Sequence, residues 1–306
     1  MSADRFSLFP CSFVHAGGTL DLLQMQGFAA NPQAQVSRRY VGGAVDPKAH
    51  LLASGKPQVS FGTRDLATLL GTVNPLLGLA SAAGGSTFRL QERDEGQGVF
   101  LTTATHETLS LAKSHLLVNS LSARQDDAEG AIAQCVAHAL YDGTNEPILH
   151  ATGADFSLLT PPAFTSEFFM GPVYHNGVQV AGVTEHSVEF GTQFMPFATD
   201  GDIWPRKGYV ARRAPVIKFS TLKVGQVAAL SKSLRALSGT LAIYFWKAVD
   251  NAARVAVGSS LHVKVSCATG AWRDDAITVS ENDDGTVAIE VLPKGSLTIS
   301  AVSTIP

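Results

Sequence analysis

Apolar and polar residues alternate along many short segments of the chain, as in LHVKVS from Leu261. Alternation with a period of two is typical of an antiparallel strand with one buried face. Clusters of Gly, Pro and Asn separate these segments, and such clusters favour turns. The pattern therefore predicts a mainly β protein built from short strands.

Two segments have a helical pattern instead. LKVGQVAALSKSL from Leu222 places its apolar residues along one side, and RDLATLLGTV from Arg64 is a shorter version. Each follows a Thr, which is a favourable N-cap residue. We expect one principal helix in each half of the chain, beginning just after Thr63 and just after Thr221.

The two helical segments belong to a longer internal match. GGAVDPKAHLLASGKPQVSFGTRDLATLL aligns without gaps with DGDIWPRKGYVARRAPVIKFSTLKVGQVA at an offset of 158 residues. The shared positions are apolar residues at period two, turn-forming Gly and Pro, and the Thr before each helix. Shorter matches extend the correspondence: RQDDA from Arg124 with RDDA from Arg273, and DGT from Asp142 with DGT from Asp284. The chain is therefore predicted to be a tandem duplication.

The predicted domains are residues 1–157 and 170–306, joined by a stiff linker at 158–169 that contains Pro161 and Pro162. Each has an ordinary domain size. The predicted fold class is α+β, mainly β, with two similar β-sandwich or half-barrel domains that each carry one flanking helix.

Composition agrees with globular domains, because 45% of the residues are hydrophobic and 16% are charged. Apolar runs are too short to span a bilayer as a helix. The N-terminus lacks the basic start and apolar segment of a secretory signal, so we expect synthesis in the cytoplasm. The net charge is −3, with −4 in residues 1–160 and +1 in residues 161–306. This distribution does not indicate a nucleic-acid clamp.

Candidate chemistry is sparse. The chain contains no Walker A sequence, G-x-S-x-G elbow, G-x-G-x-x-G fingerprint, H-E-x-x-H helix or calcium loop. His175, Glu185 and His186 are the nearest approach to a metal site, yet neighbouring residues of one strand point to opposite faces. Paired carboxylates such as Asp126 and Asp127 could do acid–base work but fit a solvated turn better. We predict no catalytic, cofactor or metal residues, and no enzyme.

The three cysteines, Cys11, Cys135 and Cys267, are far apart and form no C-x-x-C motif. An odd number at such spacings does not indicate a disulfide framework or a zinc site. Buried, reduced thiols are expected.

Long segments ahead of the shared Pro47 and Pro205 carry aromatic residues among turn residues. Large apolar side chains are costly to leave in water, so we expect these loops to bury their aromatics against neighbouring subunits. The candidate assembly residues are Phe28, Tyr40, Phe190, Phe194, Phe197 and Trp204.

The repeated junction of QVSFGTRDLATLL and VIKFSTLKVGQVA, the aromatic loop before each, and the strands after each resemble a major tail tube protein of a long-tailed, siphovirus-type bacteriophage with a duplicated tube domain. The resemblance covers nearly the whole chain but includes no diagnostic motif. It implies that each domain contributes strands to an oligomeric β-barrel, with its helix outside and its long loop reaching a neighbour. Three chains would form a pseudo-hexameric ring, and rings would stack into a conduit for DNA.

The same resemblance implies a virion protein that is assembled in the host cytoplasm, without cofactor or membrane. Its partners would be further copies of itself, the tail tip or hub and tail terminator proteins, and, transiently in the lumen, the tape-measure protein and DNA. Alternatives remain: another virion ring protein such as a distal tail or hub protein, or a duplicated β-sandwich that binds carbohydrate. A hydrolase is a third hypothesis, but the sequence shows no set of His, Ser and acidic residues that would form its active site.

Overall fold

The computed structural model describes residues 6–39, 46, 49–92, 106–127, 130–154, 167–222, 235–237, 239–249, 253–280 and 283–306. These residues form antiparallel sheets and one α-helix, α1 (Leu66–Thr72). The predicted fold class is confirmed: the protein is mainly β, with sheets packed in sandwiches.

Residues 6–154 form what we call the first repeat. Its strands are β1 (Phe6–His15), β2 (Gly18–Leu22), β3 (Met25–Asn31), β4 (Ala34–Arg39), β5 (Ala49–Gly55), β6 (Gln58–Thr63), β7 (Leu79–Ala80), β8 (Ser86–Glu92), β9 (His106–Leu111), β10 (Lys113–Arg124), β11 (Ile132–Leu140) and β12 (Ile148–Ala154).

Residues 167–303 form the second repeat. Its strands are β13 (Glu167–His175), β14 (Val178–Val180), β15 (Val183–Glu189), β16 (Gln193–Phe197), β17 (Lys207–Arg212), β18 (Val216–Thr221), β19 (Arg235–Ala236), β20 (Leu241–Val249), β21 (Ala253–Arg254), β22 (His262–Cys267), β23 (Gly270–Ser280), β24 (Asp283–Pro293) and β25 (Thr298–Ser303).

The strands form one central sheet, two flanking sheets and two ribbons. The central sheet has the order β19-β23-β24-β18-β15-β10-β11-β6-β3, with β7 beside β10. The first flanking sheet is β12-β9-β8-β1-β2, and the second is β25-β22-β20-β13-β14, with β21 beside β20. The hairpins β4–β5 and β16–β17 are two-stranded ribbons.

The topology of the two repeats is the same except for β21, which has no counterpart among the described residues of the first repeat. Each flanking sheet uses the same order of equivalent strands, and β3-β6-β11-β10 of the first repeat corresponds to β15-β18-β24-β23 of the second. The two four-stranded units are joined edge to edge by the pairing of β10 with β15. The central sheet therefore runs through both repeats as one continuous ladder.

The core lies between the central sheet and the flanking sheets. Val59 and Phe61 of β6 are buried, as are Ile217 and Phe219 of β18, whereas the residues between them are half-buried. Aromatic rings connect the layers, with Phe88 of β8 5.5 Å from Phe61 between ring centroids. Each fully buried side chain of this size contributes about 1.5–3 kcal/mol. Burial of the alternating apolar side chains therefore packs each flanking sheet against its half of the central sheet.

The helix begins later than the sequence predicts. Thr63 is the last residue of β6, and its hydroxyl accepts a hydrogen bond from the Asp65 amide at 3.2 Å. Asp65 is the N-cap of α1, but its carboxylate accepts the amides of Leu23 and Gln24 at 2.6 and 2.8 Å. The helix therefore starts where this turn ends. The corresponding helix after Thr221 would fall on 223–234, outside the described residues.

The two short sequence matches, RQDDA with RDDA and DGT with DGT, do not join structurally equivalent residues. Ala133 of β11 lies opposite Thr63, and Val287 of β24 lies opposite Thr221, so β11 and β24 differ by an offset of 154 residues. At that offset Asp142 corresponds to position 296, not to Asp284. By the same ladder, Arg273 corresponds to Leu117 rather than to Arg124. Unequal loops shift the register, and a short sequence match does not reveal the shift.

Candidate assembly surfaces

The second face of the central sheet, opposite the core, is polar. Residues that alternate with the buried ones point to this face, including Gln58, Ser60, Gln134, Ser187 and Ser220. The face is open across the junction between the repeats, where it forms a shallow depression of about 320 Å³. The chain therefore presents a broad, mostly polar surface that no flanking sheet covers in the described residues.

Charged side chains on this face are paired with one another. Six of them form what we call the charged patch: Arg124, Glu185, Glu189, Lys218, Arg273 and Glu290. Lys218 Nζ lies 2.7 Å from Glu189 and 3.6 Å from Glu290, and the Glu189 carboxylate raises the pKa of Lys218. These six groups carry no net charge, and Asp126, which lies 3.5 Å from Arg124, adds a further negative group beside them.

The junction between the repeats is a regular antiparallel pairing. Leu121 of β10 lies opposite Val188 of β15, and the register runs on to Arg124 opposite Glu185. The Phe190 amide donates to the Asn119 carbonyl at 2.9 Å. Both strands also have buried side chains at Leu121 and Val188, so the core continues across the junction.

The two ends of the central sheet carry the strands that correspond to this pair. β3, the counterpart of β15, forms one end, and β23, the counterpart of β10, lies near the other. β19 pairs with β23 only at Ala271 and Trp272. Among the described residues, no strand pairs with the outer side of β3, or with the side of β23 that faces away from β24 beyond Trp272. Exposed strand edges of this kind are templates for pairing with another chain.

Ribbon β16–β17 folds back over the first repeat. The Phe194 ring stacks on His115 at 4.4 Å and lies 5.1 Å from His138. It packs in a small cluster with Leu117 and Leu140, and all three side chains are buried. Ribbon β16–β17 thereby covers one part of the polar face.

Further contacts anchor the end of this ribbon. The Tyr141 amide donates to the Pro205 carbonyl at 2.8 Å, and the Arg206 guanidinium lies over the Tyr141 ring. The Trp204 ring covers Gly55, so that any side chain at position 55 would collide with it. These contacts make the second repeat part of the surface of the first.

Two of the predicted assembly aromatics are buried within the chain itself. Phe190 is 0% exposed in the core, and Phe194 is 7% exposed under its ribbon. Little of either side chain is accessible to a partner, because these residues, which the sequence analysis placed in a loop, pack against other parts of the same chain. Phe28 is a half-buried residue of β3 that packs on Phe88, with 5.4 Å between ring centroids.

The remaining three aromatics differ. Trp204 is half-buried against Gly55. Phe197 is 40% exposed on the outer side of ribbon β16–β17, next to Tyr209, which is 58% exposed. Tyr40 lies outside the described residues. Among the described aromatics of the set, Phe197 has the largest exposed fraction, and its role in assembly stays a prediction.

The sequence analysis missed the residues that receive the ribbon, namely His115, Leu117, His138 and Leu140. Burial lowers the pKa of His138 to about 4, with the nearby His115 contributing, and burial also lowers the pKa of His115. Both imidazoles are therefore neutral near pH 7. No local pattern marks these residues, because they lie more than fifty positions before Phe194 in the chain.

The candidate metal ligands do not converge. His186 is buried on the core side of β15, with Nε2 3.1 Å from the Tyr244 carbonyl oxygen, whereas Glu185 points to the polar face and pairs with Arg124. His175 packs against the Trp272 ring. Within the described ranges, no three His, Cys, Asp or Glu side chains are grouped to hold a metal ion.

The thiols of Cys11, Cys135 and Cys267 are buried and unpaired with one another. Burial raises the pKa of all three, that of Cys267 to about 11. A thiol with a raised pKa is a poor nucleophile.

Comparison with known proteins adds no identification, since no family model and no curated protein matches the chain. The described part of the chain has no helix with the length and apolar character needed to cross a bilayer.

Proposed function

We propose that the protein is a structural subunit of a phage tail tube. Three chains form a ring with six repeats, and rings stack into a hollow conduit for DNA. The observation that carries the proposal is the strand pairing between the repeats. β10 and β15 are joined inside the chain, and their counterparts β23 and β3 are open at the two ends of the same sheet.

Pairing β23 of one chain with β3 of the next would repeat the internal junction between chains. The equivalent register places Ile277 opposite Ala30, as Leu121 lies opposite Val188. The bulge in β10 after Val118 also recurs in β23 after Asp274. The β23 edge therefore repeats the geometry of β10, β3 keeps the register of β15 from Phe28 to Asn31, and a closed ring would leave neither edge unpaired.

The size of such a ring suits a DNA conduit. Each chain supplies eight long strands to the central sheet, so three chains supply about 24. With strands about 4.8 Å apart and tilted by about 40°, the backbone diameter is about 48 Å. Side chains reduce the opening to nearly 40 Å where no ribbon covers the polar face, and ribbons about 10 Å thick on opposite walls still leave about 20 Å, the width of a duplex.

The polar face would line this opening. The charged patch has as many acidic as basic groups, and a lining without net positive charge does not hold phosphates as a basic surface does. This feature supports a conduit over a DNA-binding ring.

Electron microscopy of the purified protein in negative stain, with mass measurement by light scattering, tests the proposal. We expect rings of three chains with an open centre and stacks of such rings at higher concentration. A monomer at every concentration, a ring of six chains or a filled centre would contradict it.

A further inference from the structure

We propose that ribbon β4–β5 of one chain docks on the second repeat of a neighbouring chain, at a surface formed by Ala271, Arg273, Leu292 and Lys294. This inference rests on the proposed ring. Ribbon β4–β5 would make between chains the contact that is equivalent to the one ribbon β16–β17 makes within the chain.

The two ribbons are equivalent in register. Gln35 lies opposite Ser54 and Val36 opposite Leu52, with a bulge between Gln35 and Val36. In the other ribbon Gln193 lies opposite Arg212 and Phe194 opposite Val210, with a bulge at the same place. All four positions differ by the offset of 158 that relates β6 to β18. Val36 is therefore the counterpart of Phe194.

The receiving surface also has a counterpart. Strand registers relate β10 to β23 by 156 positions and β11 to β24 by 154. His115 and Leu117 then correspond to Ala271 and Arg273. His138 and Leu140 correspond to Leu292 and Lys294. We call these last four residues the second seat, and the four that receive Phe194 the first seat.

Exposure separates the occupied surface from the unoccupied one. Phe194 is 7% exposed, and Leu117 and Leu140 in the first seat are 2% and 5% exposed. Val36 is 56% exposed, and the Arg273 side chain in the second seat is 53% exposed. Phe194 and Leu117 are thus buried, whereas their counterparts Val36 and Arg273 are exposed, and Leu292 is half-buried like its counterpart His138.

Ribbon β4–β5 of the same chain does not reach the second seat. Ribbon β4–β5 is inserted between β3 and β6, at one end of the central sheet, whereas β23 and β24 lie near the other end. Seven strand spacings separate β3 from β23, a distance of about 34 Å. The ring places β3 of the next chain beside β23, and the ribbon that follows β3 then continues over the second seat.

The chemistry of the second seat is more polar than that of the first. Leu292 and Ala271 are its apolar residues, and Arg273 is paired with Glu290. Val36 is also smaller than Phe194. The contact between chains therefore buries less apolar surface than the contact within the chain, and the ring has threefold rather than sixfold symmetry.

Site-directed cross-linking tests the inference. The double variant Val36→Cys, Leu292→Cys is assembled and treated with a short bismaleimide, then quenched with free thiol before denaturation. The native cysteines are buried, with raised pKa values, and stay unreactive in the folded protein. We expect covalent dimers and trimers on a denaturing gel. Mixing the two single variants should give dimers only.

Two controls define the site. Phe194→Cys with His138→Cys should cross-link within one chain and migrate as a monomer. Val178→Cys with Leu292→Cys should give no ladder, although Val178 on β14 is more exposed than Val36, at 71%.

The outcomes separate the two proposals. Rings in the micrographs without covalent dimers or trimers would overturn the ribbon contact and leave the ring in place. An intrachain product from the Val36 and Leu292 pair would also overturn it. Wild-type protein that stays monomeric would overturn the ring and, with it, the ribbon contact.

Discussion

Ribbons β4–β5 and β16–β17 have the same register and the same bulge, yet they have different surroundings. Ribbon β16–β17 buries Phe194 on the first repeat, whereas ribbon β4–β5 leaves Val36 largely exposed. The same two-stranded element therefore packs against the other repeat in one case and leaves its equivalent side chain exposed in the other. The contact formed by ribbon β16–β17 is therefore the template for the contact that we propose for ribbon β4–β5.

The largest effect should come from blocking the open strand edge. In β15 the Phe190 amide points to β10, so the amides of Val188 and its counterpart Ala30 face the same way. Ala30→Pro removes an outward N–H and places a ring at the edge. We expect a folded monomer and loss of rings, measured by light scattering and thermal unfolding.

Ala29→Pro is the matched control, because its amide faces β6. It should destabilise the monomer instead. If Ala30→Pro assembles as the wild type does, β3 is not the pairing edge.

The next largest effect distinguishes the two ribbons in stability. Phe194→Ala removes a buried ring and should lower the free energy of unfolding of the monomer by about 3 kcal/mol. Val36→Ala should change the same quantity by less than about 0.5 kcal/mol, because the side chain is exposed. Urea denaturation of dilute monomer measures both. Equal losses in the free energy of unfolding would show that the two ribbons are packed alike, contrary to this comparison.

A smaller effect should come from pH, because the first seat has histidines that the second lacks. The pKa of His138 is about 4 in the folded protein, below the unfolded value of 6.5. Between these values the unfolded state binds more protons, so stability is full above about pH 6.5 and falls as the pH drops toward 4. The half-buried ring limits the loss to about 1–2 kcal/mol.

His138→Leu, which introduces the residue found at 292, should reduce this loss, measured by urea denaturation at pH 7 and pH 4.5. His115 and His186, whose pKa values are also lowered by burial, should retain the rest of the dependence. If the variant loses as much stability as the wild type between pH 7 and pH 4.5, protonation of His138 does not cause the loss.

The smallest effect on the monomer should come from Phe197→Ser on the outer side of ribbon β16–β17. Phe197 is 40% exposed, so the free energy of unfolding should change by less than about 0.5 kcal/mol. If this side contacts a neighbouring subunit or ring, tubes should form at higher protein concentration than for the wild type. Lys207→Ser, opposite Phe197 in the ribbon, is a polar control. Tubes that form as readily as before would exclude Phe197 from assembly.

Much of the fold followed from the alternating pattern and the offset of 158. The strands β6 and β18, with Phe61 and Phe219 in the core, lie where the period-two pattern predicts them. The first helix was predicted correctly but begins at Leu66 rather than just after Thr63, since the Asp65 carboxylate binds the amides of a distant turn. Local patterns do not include such a partner.

The sequence by itself determined the class of fold, because alternation records which face of each strand is buried, and it predicted a duplication where both halves keep the same spacing. Only the tertiary structure decided how the copies join. The pairing of β10 with β15, the burial of Phe194 on His115 and the register of β24 depend on contacts between residues far apart in the chain. Bulges and loops of unequal length set that register, and neither leaves a periodic signal in the sequence.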